Sequence, residues 1–282
     1  MSIKQASPTP PLVLVFSASD PTGGAGMQAD IMTLSGMGCH ALSVITALTV
    51  QDTAGVEDVL CVDADFVGEQ ARAVLEDMPV AAFKLGVLGS GANLATIAEI
   101  ISDYPHVPVV LDPVLASGRG DEFTSDEMLE LMRELLLPQV TVLTPNSMEA
   151  RRLAARHRED VDDLPLADCA RRLIDLGCES VLVTGSHEQT PQVVNTLYGR
   201  EGVLCADAWE RLPGSYHGSG CTLASALAAA LAHGLSLPDA TREAQRYTWQ
   251  TLAAGFRPGM GQYIPDRFFW ARAQNPDDTA QT

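Results

Sequence analysis

The stretch Leu12-Val13-Leu14-Val15-Phe16-Ser17-Ala18-Ser19-Asp20-Pro21-Thr22-Gly23-Gly24-Ala25-Gly26-Met27 decides the reading of the fold. Its first five residues are a continuous apolar run rich in branched side chains, a turn-forming Ser-Asp-Pro-Thr-Gly segment follows, and helical periodicity begins near Met27. The unit is strand, loop, helix. Similar apolar runs return at residues 41–50, 80–85, 107–111, 140–143 and 180–184, with amphipathic segments between most of them. Strands without polar alternation are buried on both faces. Their alternation with helices predicts an α/β chain in three layers, a mostly parallel central sheet with helices on both faces. Residues 193–198 and 203–208, separated by Gly199 to Gly202, predict an added edge hairpin. Thr124 and Glu127 are spaced as a capping box for a helix through Leu137, which Pro138 ends. No repeat, low-complexity tract or linker divides the chain. One domain is therefore expected over 12–270, with a flexible, proline-rich N-terminus over 1–11 and a flexible polar tail over 271–282.

Composition narrows the function classes. The chain has 282 residues, 46% hydrophobic and 19% charged. No run approaches the roughly 18 uninterrupted apolar residues of a membrane-spanning helix, so no membrane partner is expected. Lys and Arg number 18 against 36 Asp and Glu, a net charge of −18 that repels phosphodiester backbones and argues against nucleic acid. The six cysteines, at 39, 61, 169, 178, 205 and 221, form no Cys-x-x-Cys pair and no zinc-like cluster with histidine, so neither a disulfide frame nor a structural metal is expected. The start lacks the basic-then-apolar order of a secretory signal, which predicts a reducing, cytoplasmic setting.

In open α/β sheets ligands sit beyond the carboxyl ends of the strands, and the loops there carry the motifs. Gly24-Ala25-Gly26-Met27-Gln28-Ala29 matches the permissive G-x-G-x-x-G/A pattern, with Asp52 as a loose ribose-binding candidate. However, residues 17–22 separate the strand from the first glycine, whereas a dinucleotide fingerprint needs its glycines in the tight turn leaving the strand. A Walker A loop needs a lysine after its last glycine, and neither lysine of the chain, Lys4 or Lys84, is so placed. Ala81-Ala82-Phe83-Lys84 resembles a protein-kinase strand lysine only faintly, because no His-Arg-Asp or Asp-Phe-Gly sequence exists for the catalytic and metal roles.

The strongest local signal is His217-Gly218-Ser219-Gly220-Cys221-Thr222, followed by an alanine-rich helical segment that Gly234 stops. Exposed amides of Gly218, Ser219 and Gly220 at a helix start suit a phosphoryl group, and the dipole is expected to lower the pKa of the Cys221 thiol, making a base. The alternative is that Cys221 is a small packing residue and the glycines only permit close approach. Asn146 and Glu149, three apart after a strand, offer oxygen ligands to a hard cation such as Mg²⁺, or equally a helix cap. Asp112, before Pro113, adds a third polar group at the same sheet edge.

Together these segments resemble the hydroxymethylpyrimidine and phosphomethylpyrimidine kinases of the ribokinase-like superfamily, over about 12–264. The resemblance is carried by Ser19 to Asp30, Val44 to Thr53, Lys84-Leu85-Gly86, Asp112-Pro113-Val114, Thr144-Pro145-Asn146, Thr184-Gly185 and Gly218 to Thr222. It implies a three-layer ribokinase-like fold, ATP and Mg²⁺ as cofactors, and a pyrimidine substrate phosphorylated at its hydroxymethyl group and then again at the monophosphate, in thiamine biosynthesis. By position it implies that Gln51 hydrogen-bonds the pyrimidine and that Gly23, Gly24 and Asp30 lie in the substrate loop. It further implies that Val87 shapes the pocket where relatives usually carry Met, that Asn146 and Glu149 with Asp112 serve metal and phosphate, that Thr184 and Gly185 contact nucleotide, and that Cys221 is the catalytic residue where sugar kinases place Asp. After Val114 many relatives read Ala-Lys-Ser-Gly or Ala-Thr-Ser-Gly; here the loop is Leu115-Ala116-Ser117-Gly118-Arg119-Gly120, with Arg119 the candidate substitute for phosphate contacts. The alternatives are a pyridoxal or pyridoxine kinase and, from another class, a noncatalytic pyrimidine-binding regulator; a homodimer is left open.

Overall fold

The computed structural model describes residues 9–116, 123–155 and 164–272; Arg119, most of its loop, and most of both terminal segments lie outside them. Nine strands form one sheet in the order β3-β2-β1-β4-β5-β6-β7-β8-β9. They are β1 (Leu12–Ser19), β2 (His40–Gln51), β3 (Val56–Cys61), β4 (Ala82–Leu85), β5 (Val109–Leu111), β6 (Val142–Leu143), β7 (Val181–Val183), β8 (Gln192–Gly199) and β9 (Gly202–Glu210). Strands β2, β1, β4, β5, β6 and β7 run parallel, and the expected hairpin β8–β9 closes one edge antiparallel.

The period of two along β1 separates the layers. Leu14 and Phe16 join a core with α2 (Ala64–Asp77), α3 (Gly91–Ser102), α4 (Asp126–Leu131), α5 (Ser147–Ala154) and α6 (Leu166–Asp175). Val13 and Val15 face α1 (Gly26–Gly36), α7 (Ser219–Ala232) and α8 (Leu237–Ala253). Each of these branched or aromatic side chains contributes about 1.5–3 kcal/mol when fully buried. A four-residue helix, α9 (Phe269–Arg272), follows. In α7 the buried Ala224, Ala226, Ala228, Ala229 and Ala230 keep the helix close over β1, β4 and β5, so its first turn stands above their carboxyl ends. Among the described residues no helix is long and apolar enough to cross a membrane.

Three local expectations are corrected. Strand β3 was not predicted, because Glu57, Asp58, Leu60 and Cys61 are exposed on an edge and its sequence has no buried face to declare. Its hairpin turn is built by Asp52, whose Oδ1 accepts the amides of Ala54 (2.6 Å) and Gly55 (3.0 Å); this is a turn carboxylate rather than a ribose ligand. The cap of α4 is Ser125, whose Oγ accepts the Met128 amide at 3.2 Å, and not Thr124, which is buried. That helix does not run regularly to Leu137: it widens into a π turn over Met132–Leu136 and tightens into a 3₁₀ turn, Leu137–Gln139, that contains Pro138.

Candidate active site

Two loops meet above the sheet. The first leaves β1 at Asp20, whose Oδ1 accepts the Thr22 amide (2.8 Å) while Oδ2 accepts the Ala25 amide (2.7 Å) and the Thr22 hydroxyl (2.9 Å). His217 Nε2 stands 2.9 Å from the same Oδ2 and joins the second loop to the first. Burial pushes the Asp20 carboxyl up, but the hydrogen bonds from His217, Thr22 and Ala25 outweigh it and hold the group below the usual carboxylate range. This is a shaped turn with its oxygens fully used.

The second loop ends at Gly218, with φ +78°. A Cβ there would lie 1.9 Å from the Gly24 carbonyl oxygen, so only glycine serves. No side chain caps α7. The amides of Ser219, Gly220 and Cys221 therefore have no acceptor among the described residues, which leaves an open helix N-terminus of the kind that holds anions. Gly220 faces Asp112: a Cβ on the glycine would stand 3.6 Å from Asp112 Oδ2.

Beneath this turn lies a charge cluster that pattern reading missed. Lys84, on the α1–α7 face of β4, and Asp30, one turn into α1, are both 0% exposed, with Lys84 Nζ 2.9 Å from the Asp30 carboxylate. Ser225, one turn after Cys221, donates to Asp30 Oδ1 at 2.6 Å. Burial alone would lower the Lys84 pKa, but the charge of Asp30, with Cys221 and Asp112 nearby, keeps it above its ordinary value. Asp30 is thus the counter-ion of Lys84, facing the interior, and not an open substrate-loop ligand.

The thiol expectation is also corrected. Burial pushes Cys221 up to about 12, against the pull of Lys84 and with the push of Asp112 and Asp30; the helix end does not make it a resting thiolate. Asp112 is raised to about 6 by burial despite Lys84, and Glu149 to about 7 by burial and by the charge of Asp112. Asn146 and Glu149 form the capping box: Asn146 Oδ1 accepts the Glu149 amide at 2.9 Å, and Glu149 Oε2 accepts the Asn146 amide at 2.9 Å. The Asn146 oxygen accepts two amides of the helix start, those of Met148 and Glu149. No cluster of three or more His, Cys, Asp or Glu with metal-binding spacing occurs among the described residues. Asp112 Oδ2 is buried and without a hydrogen-bond partner, and Glu149, repelled by it, accepts the amides of Asn146 and, at 3.3 Å, Leu115. That pair fits Mg²⁺, which is commonly held by one or two carboxylates plus substrate phosphates.

Gln51 is half-buried at the end of β2, and its side-chain amide bonds to no described residue, leaving both a donor and an acceptor free. Val87 is half-buried beyond β4, its carbonyl accepting the Thr46 hydroxyl at 2.6 Å. Gly23 and Gly24 lie in the Asp20 turn. At the far edge Thr184 bridges to Asn146. Gly185 gives its amide to Asn195 Oδ1 at 3.1 Å, and a Cβ there would lie 2.3 Å from the Val194 carbonyl oxygen. It is required for packing on β8, and its N–H is not available to a nucleotide.

The family profile described as phosphomethylpyrimidine kinase matches residues 20–266. The chain belongs to that family. It is 43% identical over 258 residues to a hydroxymethylpyrimidine/phosphomethylpyrimidine kinase of Mycobacterium tuberculosis, covering 90% of this chain and 92% of the relative. Among solved structures it is similar to the phosphomethylpyrimidine kinase of Clostridium difficile, with a TM-score of 0.72, 30% identity and coverage of 86% of this chain and 99% of that one. It is also similar to the pyridoxal kinase of Staphylococcus aureus in complex with AMP-PCP and pyridoxal, with a TM-score of 0.81, 26% identity and coverage of 94% and 96%. The three-layer, ribokinase-like architecture expected from the sequence is the architecture of this phosphomethylpyrimidine kinase family member.

Proposed function

We propose that the chain transfers a phosphoryl group from ATP to the hydroxymethyl oxygen of hydroxymethylpyrimidine, and a second one to the resulting monophosphate, in thiamine biosynthesis. The observation that carries this reading is the uncapped first turn of α7, which presents three free amides with Cys221 in the same turn and Asp112 opposite. Phosphoryl transfer needs little covalent help from a protein; positioning and neutralisation of charge dominate. The amides of Ser219, Gly220 and Cys221 stabilise negative charge as it develops on the transferring group. Gln51 orients the ring from the end of β2, and Cys221, as the thiolate left once its own proton has gone to solvent, receives the proton of the attacking hydroxyl. Lys84 favours the thiolate from below, while Asp112 and Asp30 oppose it. Mg²⁺ held by Asp112 and Glu149 would offset the first of those opposing charges and polarise phosphoryl oxygens.

Glu149→Gln keeps the size of the side chain but removes an anion. The Mg²⁺ concentration for half-maximal activity is expected to rise roughly tenfold; an unchanged titration in a folded variant would place the metal elsewhere.

The pyridoxal kinase neighbours make pyridoxal the competing alcohol. The Gln51 amide can donate and accept at once, matching the adjacent ring nitrogen and amino group of an aminopyrimidine, whereas the phenolic edge of pyridoxal offers a different pattern. A buried amide left unpaired costs about 1–3 kcal/mol, so hydroxymethylpyrimidine is expected to show a roughly 5- to 150-fold higher kcat/KM than pyridoxal. Both alcohols measured in competition test this, and equal or better use of pyridoxal would overturn the substrate assignment.

A further inference from the structure

Arg267 is 2% exposed, far along the chain from both glycine loops, and touches both. Its Nη2 donates to the Gly24 carbonyl at 2.6 Å and lies 3.4 Å from the Gly218 carbonyl, its Nη1 lies 3.5 Å from the Gly23 carbonyl, and its Nε donates to Thr222 Oγ1 at 3.1 Å. The Thr222 hydroxyl in turn donates to the Gly218 carbonyl at 2.8 Å. The backbone of Arg267 is held from α8, where the Tyr247 hydroxyl donates to its carbonyl at 2.9 Å, and the Asp266 amide before it donates to the Thr251 carbonyl at 2.9 Å. No carboxylate stands within ion-pair distance of the guanidinium among the described residues. A buried cation without a counter-ion is costly unless its donors are satisfied. Here backbone carbonyls and one hydroxyl satisfy them.

We infer that Arg267 is a positioning residue for phosphoryl transfer: through Thr222 Oγ1 and the Gly24 carbonyl its guanidinium fork braces the Gly218 turn, whose carbonyl also accepts the Thr222 amide at 3.0 Å, so that the first amide of α7 faces the transferring group. In a trans peptide the carbonyl and the following N–H point in opposite directions. Turning the Gly218 carbonyl inward, onto Thr222 and Arg267, therefore turns the Ser219 N–H outward into the open end of the helix. The alcohol-side loop has its own supports, because Asp20 and Thr22 already hold the amides of Thr22, Gly24 and Ala25. Loss of the fork should thus fall on turnover more than on alcohol binding. The fixed positive charge behind the loop acts in the same direction.

This inference rests on the reading of α7 as the phosphoryl-holding turn, and its test separates the two. Direct removal of one such donor costs about 10²- to 10³-fold in kcat; acting through the loop, Arg267→Met is expected to lower kcat roughly 10- to 100-fold, with KM for the alcohol changed less than about threefold. Thr222→Val keeps the branched shape but deletes the bridging hydroxyl, and is expected to lower kcat by about threefold or more with the same KM split in protein whose melting confirms that it is folded. Both are measured on whichever alcohol the wild type uses, or on ATP hydrolysis by water if it uses neither. A failed substrate assignment then appears in the wild type alone. Turnover of both variants within twofold of wild type, a rise confined to KM, or a loss in Arg267→Met explained by unfolded protein while Thr222→Val is unaffected would show that Arg267 only supports the fold.

Discussion

Cys221→Ala and Cys221→Ser are both expected to lose about 10²- to 10⁴-fold in kcat, the usual worth of a positioned acid–base group, while affinity for the pyrimidine stays close to wild type. The side chain is half-buried in the first turn of α7, one helical turn above Ser225 and the Lys84–Asp30 pair. Burial and the nearby carboxylates hold the thiol up at about 12. Only its thiolate, the form that Lys84 favours, can take the hydroxyl proton, so the thiol first gives its own proton to solvent; the resulting thiolate is a strong base, matched to a hydroxyl that sheds its proton only as the new bond forms. Serine preserves the volume but is a much weaker acid, so it separates proton acceptance from packing. Steady-state rates with saturating ATP decide the matter: if both variants turn over near the wild-type rate, Cys221 is a packing residue and the open helix end alone sustains the reaction.

The second large effect is on stability. Lys84→Met leaves the Asp30 carboxylate buried beside a thioether, with Ser225 its only remaining close partner among the described residues. Breaking one side of a buried ion pair costs about 3–5 kcal/mol. At about 2–4 °C per kcal/mol for chains of this order of size, Tm is expected to fall by roughly 6 to 20 °C. Replacing both partners, Lys84→Met with Asp30→Leu, removes the uncompensated charge and should recover most of that loss. Activity should not return with it, because Cys221 and Asp112 lose the cation that favours their ionised forms. Thermal melts of the single and double variants, read beside kcat, test both halves. A stable single variant would mean the pair contributes little, and an active double variant would mean that Lys84 serves the fold alone.

The sequence reveals much of this architecture because each parallel strand is a short apolar run and each helix follows a turn. Leu12 to Phe16 and the glycine turn to Met27 read directly as β1, loop and α1. Strand β3 and the π turn in the α4 continuation do not read so, since an exposed acidic edge and a locally widened helix leave no periodic trace. At the site, the first turn of α7 with Gly220 stands against Asp112, and Asp112 stands near Glu149. Asp30 and Lys84 escape that reading because their meaning lies in a contact across 54 residues, and a lysine within an apolar strand does not announce its partner. Arg267 meets Gly24 across 243 residues and belongs to no motif at all. The lowered thiol that a helix start suggests is opposed by burial and by two carboxylates.

The most direct test of phosphoryl transfer to a hydroxymethyl pyrimidine is a ³¹P NMR time course of the purified chain with hydroxymethylpyrimidine, ATP and Mg²⁺. The expected result is a monophosphate ester signal that grows first and is then consumed into a pyrimidine diphosphate, with ADP formed in step with both. ATP left intact, or a monophosphate that accumulates with no diphosphate after it, would contradict the account.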